Sequence, residues 1–428
     1  MKRLFVLSLD SLFYDDMEWL KDCPYLYDIL QRGSQIKRVR SEYPAMTYTA
    51  HTTMLTGCHV DVHGIYHNEK VEIDKQYPDW HWRREEIKVP TLIDYAVKEG
   101  YRFCVVNWPV SGADPNIEFN IPEIWAETTD GDSRPRFLTV CSPGIEKLFD
   151  KYRYMLRWKY QPELDEFGLC CMTEVIEEYQ PEVIMLHLSY LDHTRHRNGV
   201  FAEAAKNALI ECDKRLGRLV EQLKRLGVYD ETNFVVVGDH GHMPVKQVFN
   251  PNVIFRNKGL IELDENGLVK NWKVYCHSAG LSAHIVLKDP NDEEVRKQVE
   301  EIMNEMVADE SLGCEQILDR KTFTEVWHLD GPFHYVIEGR PGTSFGNRCV
   351  EPMIIDPDNR DYKISVSAHG HMPTKGPQPT FFMAGPQIKQ GVVIEECEMI
   401  DEAPTWLAIL GIDMPSAQGR AYKELLNE

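Results

Sequence analysis

Phe234-Val235-Val236-Val237-Gly238-Asp239-His240-Gly241-His242 is the stretch on which the reading of this chain turns. An aromatic residue and three valines in a row are too short for a helix and suit the centre of a parallel sheet, where both faces of a strand are covered. Glycine breaks the run, and a carboxylate and two imidazoles follow at once. Open α/β sheets bind ligands beyond the carboxyl ends of their strands, so Asp239 and His240 stand where chemistry is expected.

The pattern recurs along the chain. Residues 4–9 form an apolar run that meets Asp10, and 183–188 form another, followed by Leu191-Asp192-His193-Thr194-Arg195-His196. Ser367-Ala368-His369-Gly370-His371 lies ahead of a short run at 381–383, with His371 a rival to His369. A further strand is predicted at 103–107. Between the strands, 24–32, 90–99 and 202–226 read as helices stopped by Gly33, Gly100 and Gly227 acting as C-caps. The highly charged segment 293–307 reads as a surface helix. This alternation predicts an α/β fold: a mostly parallel central sheet with helices on both faces. From 246 to 365 the rhythm changes to short alternating runs, such as 281–287, punctuated by Asn, Asp, Gly and Pro. The expected organisation is therefore a catalytic core of residues 1–245 and 366–428 with an α+β cap, 246–365, inserted into it.

Length and composition agree with one large domain carrying an insertion, since 428 residues with 43% hydrophobic and 27% charged side chains make an ordinary globular chain. Net charge is −21, from 47 Lys plus Arg against 68 Asp plus Glu, and no dense basic run is present to track a phosphate backbone. Long nucleic acid is thus excluded as a partner. A small anionic substrate is not, because bound dications act at contact distance whereas exposed charge is screened beyond ~8 Å. The apolar run at 4–9 is too short for a signal peptide, and no stretch is long enough to span a bilayer, so no membrane association and a cytoplasmic location are expected. Eleven cysteines, an odd number and mostly inside apolar segments, fit buried thiols in a reducing compartment better than a disulfide framework.

The nucleophile candidate lies in Tyr43-Pro44-Ala45-Met46-Thr47-Tyr48-Thr49-Ala50-His51-Thr52-Thr53-Met54-Leu55-Thr56-Gly57. Residues 49–55 read as a helix ending near Gly57, with Thr47 at its N-terminus, where unpaired amides and the dipole favour a phosphate. Thr49, Thr52 and Thr53 are neighbouring rivals, and a threonine before a helix is commonly its N-cap. A hydroxyl is a poor nucleophile near neutral pH, and coordination to a dication supplies the missing activation. The carboxylates and imidazoles at the strand ends are ligand types that suit Zn²⁺ and tolerate Mn²⁺, and the absence of cysteine among them argues against a closed structural zinc site. The remaining histidines read as structural: His51 inside its helix, His193 and His242 exposed, His284 in a strand. Trp80, Trp82 and Trp108 read as core or rim.

Taken together these segments resemble the nucleotide pyrophosphatase/phosphodiesterase branch of the alkaline phosphatase superfamily, from residue 4 to about 243 and again from 366 to the C-terminus. The nucleophile segment of that branch reads roughly Pro-Thr-Lys-Thr-Phe-Pro-Asn-His, then Thr-Gly, then His-Gly-Ile-x-x-Asn. Pro44, Thr47, His51, Thr56, Gly57, His63, Gly64, Ile65 and Asn68 stand at matching places, as do Pro90-Thr91-Leu92-Ile93, Trp108-Pro109, the Asp192/His196 pair and Asp239-His240-Gly241. A scattered set in this order is far more specific than one short motif. The resemblance implies an alkaline-phosphatase-like fold and two divalent metal ions, best matched by zinc. One would be held by Asp10, Thr47, Asp239 and His240, the other by Asp192, His196 and His369. It further implies that Asn68 hydrogen-bonds a phosphate oxygen beside the Thr47 amide, and that Tyr48 forms one wall of a substrate slot.

The departures from the family pattern are Met46 for its lysine, Thr49-Ala50 for its Pro-Asn, and His187 where a stacking tyrosine commonly precedes the metal-binding Asp192. His187 would then line the slot. The implied activity is that of a phosphodiesterase or nucleotide pyrophosphatase working through a phospho-threonine on a small phosphate ester, a nucleotide being one such substrate. A phosphomonoesterase, phosphonate hydrolase or phosphomutase of the same superfamily is the alternative that fold analogy leaves open. A sulfatase is disfavoured because no Cys or Ser precedes a Pro-x-Arg there. A noncatalytic, metal-stabilised binding protein would have lost a ligand or the nucleophile, and none is lost.

Overall fold

Alternation along the strand Arg3–Leu9 organises the computed structural model, which describes residues 1–75, 78–124, 134–156 and 160–427. Phe5, Leu7 and Leu9 enter one apolar core, and Leu4 and Val6 enter a second on the opposite face. Val183–Leu188 divides likewise, Ile184, Leu186 and Leu188 to the first core and Val183 and Met185 to the second. Side chains burying both faces, at ~1.5–3 kcal/mol for each large apolar residue, are what make these runs continuously hydrophobic.

The central sheet has eight strands in the order Val393–Glu398, Ser34–Arg40, Phe381–Ala384, Thr232–Val237, Arg3–Leu9, Val183–Leu188, Phe103–Val106 and Phe119–Ile121. Phe381–Ala384 runs antiparallel to both its neighbours, and every other pairing is parallel. Helices Pro24–Arg32, Glu163–Tyr179 and Glu203–Arg225 supply the first core, and Thr47–Thr56, Leu92–Lys98 and Glu402–Leu410 the second. The chain thus has the alkaline-phosphatase-like α/β fold expected from sequence. Gly33 departs from its expected role. It is not left-handed, and it is small because a Cβ there would lie 1.9 Å from the Met383 carbonyl oxygen of the adjoining strand.

Within 246–365, Val274–Ser278, Ser282–Leu287, Tyr335–Gly339 and Cys314–Asp319 build a four-stranded antiparallel sheet. The helix Glu293–Ala308 is not merely a surface element, since Val295, Val299, Ile302, Met303 and Met306 pack into this sheet's own core while its charged face stays outside. A second sheet joins Met243–Phe249 to Gly342–Phe345, Ile354–Ile355 and Ser367–Ala368. Its pairing of Ala368 with Met243 draws His369 back to the end of Thr232–Val237. Among the described residues, no helix is long and apolar enough to cross a membrane.

Candidate active site

Three parallel strands of the central sheet end side by side and deliver Asp10, the helix bearing Asp192 and His196, and Asp239-His240 to one place. The turn after Val237 needs glycine, because a Cβ at Gly238 would sit 1.8 Å from the Leu12 carbonyl oxygen. That close approach lets the Ser11 amide donate to Asp239 Oδ1 at 2.8 Å, while the His240 amide donates to the same oxygen at 3.0 Å. Oδ2 of Asp239 and Oδ1 of Asp10 are buried without hydrogen-bond partners. His240 Nε2 lies 3.3 Å from each of those two oxygens.

Two histidines are held by their far nitrogens. Nδ1 of His196 donates to the Ser367 carbonyl at 2.8 Å and Nδ1 of His369 to the Ala45 carbonyl at 3.0 Å, which leaves each Nε2 as a lone pair facing inward. Asp192 lies between two sets of donors. Donor atoms of Asp192, His196, His242 and His369 lie within 4.8 Å of one another, as do those of Asp10, Asp192 and His240. His371 belongs to neither set.

His242, expected to be exposed, is wholly buried and meets Asp192 Oδ1 through Nε2 at 2.6 Å. Its position depends on the Ala368–Met243 pairing and on Ser367 Oγ, 3.1 Å from its Nδ1, neither of which is visible in local sequence. Glu123, a buried carboxyl, is a second residue that sequence reasoning missed. His193 is half-buried rather than exposed.

The electrostatics are those of a cation site. Burial, reinforced by Asp192, Asp239 and Glu123, pushes the Asp10 carboxyl well above the ordinary carboxylate range. Burial likewise pushes Glu123 up to about 8. Burial opposes charge on Asp192 too, but His196 and His242 outweigh it and hold that carboxylate well below its ordinary range. His242 and His369 are driven well below theirs by burial, and neutral imidazoles are what a metal requires. Clustered carboxylates, unpartnered oxygens and inward nitrogens, with no thiolate among them, fit divalent zinc-type ions.

Thr47 opens the helix Thr47–Thr56, all ten residues of which are buried. The turn beyond it ends at Gly57 with φ +63°, and inside the helix Thr52 and Thr56 satisfy their hydroxyls on the carbonyls of Tyr48 and Thr52. Thr47 instead turns its Oγ1 to His240 Nε2, at 3.1 Å. His51 braces the helix from below, donating from Nδ1 to the Thr47 carbonyl at 2.8 Å with its Nε2 2.8 Å from Ser8 Oγ. Asn68 accepts from the Tyr48 amide through Oδ1 at 3.0 Å, so its amide group is fixed at the helix entrance.

The slot foreseen beside Tyr48 and His187 is not lined by them. Tyr48 is 0% exposed, its ring edge-on to Trp80 and Trp82. His187 is 1% exposed and packed against His51, with Nε2 3.4 Å from Asp10 Oδ2. A strand buried on both faces turns His187 inward, beneath the carboxylates.

A mostly parallel α/β sheet with an Asp/His cluster at its carboxyl edge and a threonine opening a buried helix beside it defines an alkaline-phosphatase-like protein. The chain belongs to the type I phosphodiesterase / nucleotide pyrophosphatase family, whose pattern matches residues 4–378. It is 22% identical over 250 residues to ectonucleotide pyrophosphatase/phosphodiesterase family member 3 of Mus musculus, covering 56% of this chain and 24% of that protein. To family member 1 of Homo sapiens it is 26% identical over 281 residues, 63% of this chain and 26% of that one. The chain therefore spans about a quarter of the length of these relatives. Similarity also extends to bis(5'-adenosyl)-triphosphatase ENPP4 of Bos taurus, at 22% identity over 249 residues, 56% of this chain and 47% of that one. Among solved structures, murine ectonucleotide pyrophosphatase/phosphodiesterase 5 superposes with a TM-score of 0.64 at 16% identity, covering 100% of both chains. An inactive threonine-to-alanine variant of that protein in complex with AMP gives 0.65, also at 16% identity and 100% of both chains.

Proposed function

We propose that this chain is a metal-dependent phosphoric diester hydrolase that cleaves phosphodiester or phosphoanhydride bonds of small substrates, nucleotides included, with Thr47 as nucleophile. The observation that carries this reading is the Thr47 hydroxyl, directed out of its buried helix to His240 Nε2 at the edge of the Asp/His cluster. Asp10, Asp239 and His240 would hold one ion and His196, His242 and His369 another, with Asp192 between them. Bound there, the ions supply Lewis-acid charge that favours the deprotonated hydroxyl and offsets the charge of the phosphate.

The chain's own residues supply the rest. Thr47 Oγ1 bonds to phosphorus as the alcohol or phosphate leaves on the opposite side, giving a phospho-threonine. A water molecule then displaces Thr47 from the side the leaving group vacated, so that two in-line steps retain configuration. The helix N-terminus at Thr47 favours the phosphoryl oxygens, and Asn68, its Oδ1 committed to the Tyr48 amide, has its NH₂ left to donate to one of them. His51 and His187 fix Thr47 and Asp10 from beneath.

Family membership supports the reaction class, and the AMP-bound threonine-to-alanine variant of the murine structure supports both the nucleotide and the essential threonine. All eleven cysteines are free, which supports a reducing, cytoplasmic setting. The deciding experiment is a metal-supplemented panel of aryl phosphodiesters, phosphomonoesters, phosphonates and dinucleoside polyphosphates. Turnover fastest on diesters or anhydrides is the expected result, and a preference for monoesters, or no metal-dependent turnover, overturns the reading.

A further inference from the structure

Asn68-Glu69 and Tyr362-Lys363 lie far apart in sequence and meet in the fold. Their second members form a buried ion pair, Lys363 Nζ lying 2.7 and 2.8 Å from the two carboxylate oxygens of Glu69. Lys363 is further held through its amide on Asp361 and its carbonyl on Ser344 Oγ. With the second members locked together, the first members are brought to the site. The ring of Tyr362 stacks on His369 with centroids 5.8 Å apart, meets His196 edge-on at 5.8 Å and touches Trp80 at 5.8 Å. Its hydroxyl is buried without a well-formed hydrogen bond among the described residues, the Asn68 side chain being the polar group that approaches it, and no acceptor takes its proton there. Buried hydroxyls are as a rule hydrogen-bonded, so the free phenolic proton beside the Asp/His cluster is available to an incoming acceptor.

We propose that Tyr362 is a substrate-binding residue, its phenol donating a hydrogen bond to a phosphoryl oxygen alongside the Asn68 amide, with the Glu69–Lys363 pair positioning both donors. The inference rests on the phosphodiester reading above and adds to it a group supplied by the segment that precedes His369. Phosphate recognition would then be shared between the sheet edge and that segment, which the ion pair ties together.

Tyr362→Phe removes the hydroxyl and keeps the ring. It is to be compared with wild type, both full-length and zinc-loaded, by calorimetric titration with inorganic phosphate, by hydrolysis of bis(4-nitrophenyl) phosphate, and by thermal unfolding. The expected result is phosphate affinity and kcat/KM each lowered about tenfold or more with unchanged Tm. Unchanged phosphate affinity, a lowered Tm with no selective loss of phosphate binding, or a wild type that binds no phosphate overturns the proposal. A wild type that binds phosphate yet hydrolyses no diester overturns the phosphodiester reading, while the affinity difference still decides the role of Tyr362.

Discussion

Thr47 Oγ1 lies 3.1 Å from His240 Nε2, Thr47 opening a buried helix and His240 standing three residues beyond a buried strand. Both residues are buried, so the hydroxyl stands at the cluster before any substrate arrives. This geometry fixes the first test.

Thr47→Ala is expected to lower turnover by roughly 10³-fold or more while bound metal is retained, because the nucleophile is lost and the Asp/His donors are not. Thr52→Ala, whose hydroxyl is spent on the Tyr48 carbonyl, should cost far less in activity. Hydrolysis of a chiral phosphorothioate diester in labelled water should proceed with retention, and inversion would rule out the phospho-threonine.

Two dications per chain, chiefly zinc, are expected by elemental analysis after mild dialysis. Chelation should abolish activity and added Zn²⁺ or Mn²⁺ should restore it. His242→Ala should weaken metal retention by about 10–100-fold, whereas His371→Ala, outside both donor sets, should leave it close to wild type. Equal effects of the two variants would overturn the assignment of His242.

Arg195 and Asp16 form a wholly buried pair, with the guanidinium 2.7 Å from both carboxylate oxygens and stacked 3.8 Å over Phe13. Removing one partner strands the other, so Arg195→Met should destabilise the protein by about 3–5 kcal/mol in denaturant titration. Because Arg195 adjoins His196, metal affinity should fall with it.

His63 gives a pH prediction away from the metal cluster. Its Nδ1 accepts from the Ile65 amide and its Nε2 pairs with Thr53 Oγ1, and burial pushes its pKa down from 6.5 to about 3. The folded state therefore resists a proton that the unfolded chain accepts, so this contribution is complete above pH 6.5 and is lost as pH falls toward 3. His63→Gln should remove about 1.4 kcal/mol per pH unit from the acid slope of stability, measured in chelator at pH 7, 6 and 5. An unchanged slope would contradict the burial-driven shift.

What could be read from sequence follows from burial. Val183–Leu188 is apolar throughout because both faces are covered, and its bounds were predictable to the residue. Ser34–Arg40 and Val393–Glu398 escaped notice because they lie toward one margin of the sheet and are interrupted by charge at Lys37, Arg38, Arg40, Glu395, Glu396 and Glu398, including the Lys37–Glu395 and Arg40–Glu398 pairs. Asp10, Asp192, His196, Asp239, His240 and His369 could be singled out because each follows or flanks a strand end. His242 and Tyr362 could not, since what places them is contact between segments distant along the chain: the Ala368–Met243 pairing for the first and the Lys363–Glu69 ion pair for the second. His187 misled for the same reason in reverse: its spacing from Asp192 is a local fact, but the direction of its side chain is set by the sheet.

Val237 pairs with Phe381 across one rung of the central sheet, yet the whole segment containing the smaller sheets lies between them in the chain. Closing that rung means bringing together residues very remote in sequence, and loop entropy grows slowly with length but must be met before the rung forms. If the intervening segment collapses around its own core first, its two ends are drawn together and the effective loop is much shorter. Catalysis depends on the same long-range closure, because the Ala368–Met243 pairing that brings His369 to His240 also joins segments separated by that insertion, and a chain lacking it holds Thr47 beside an incomplete set of donors.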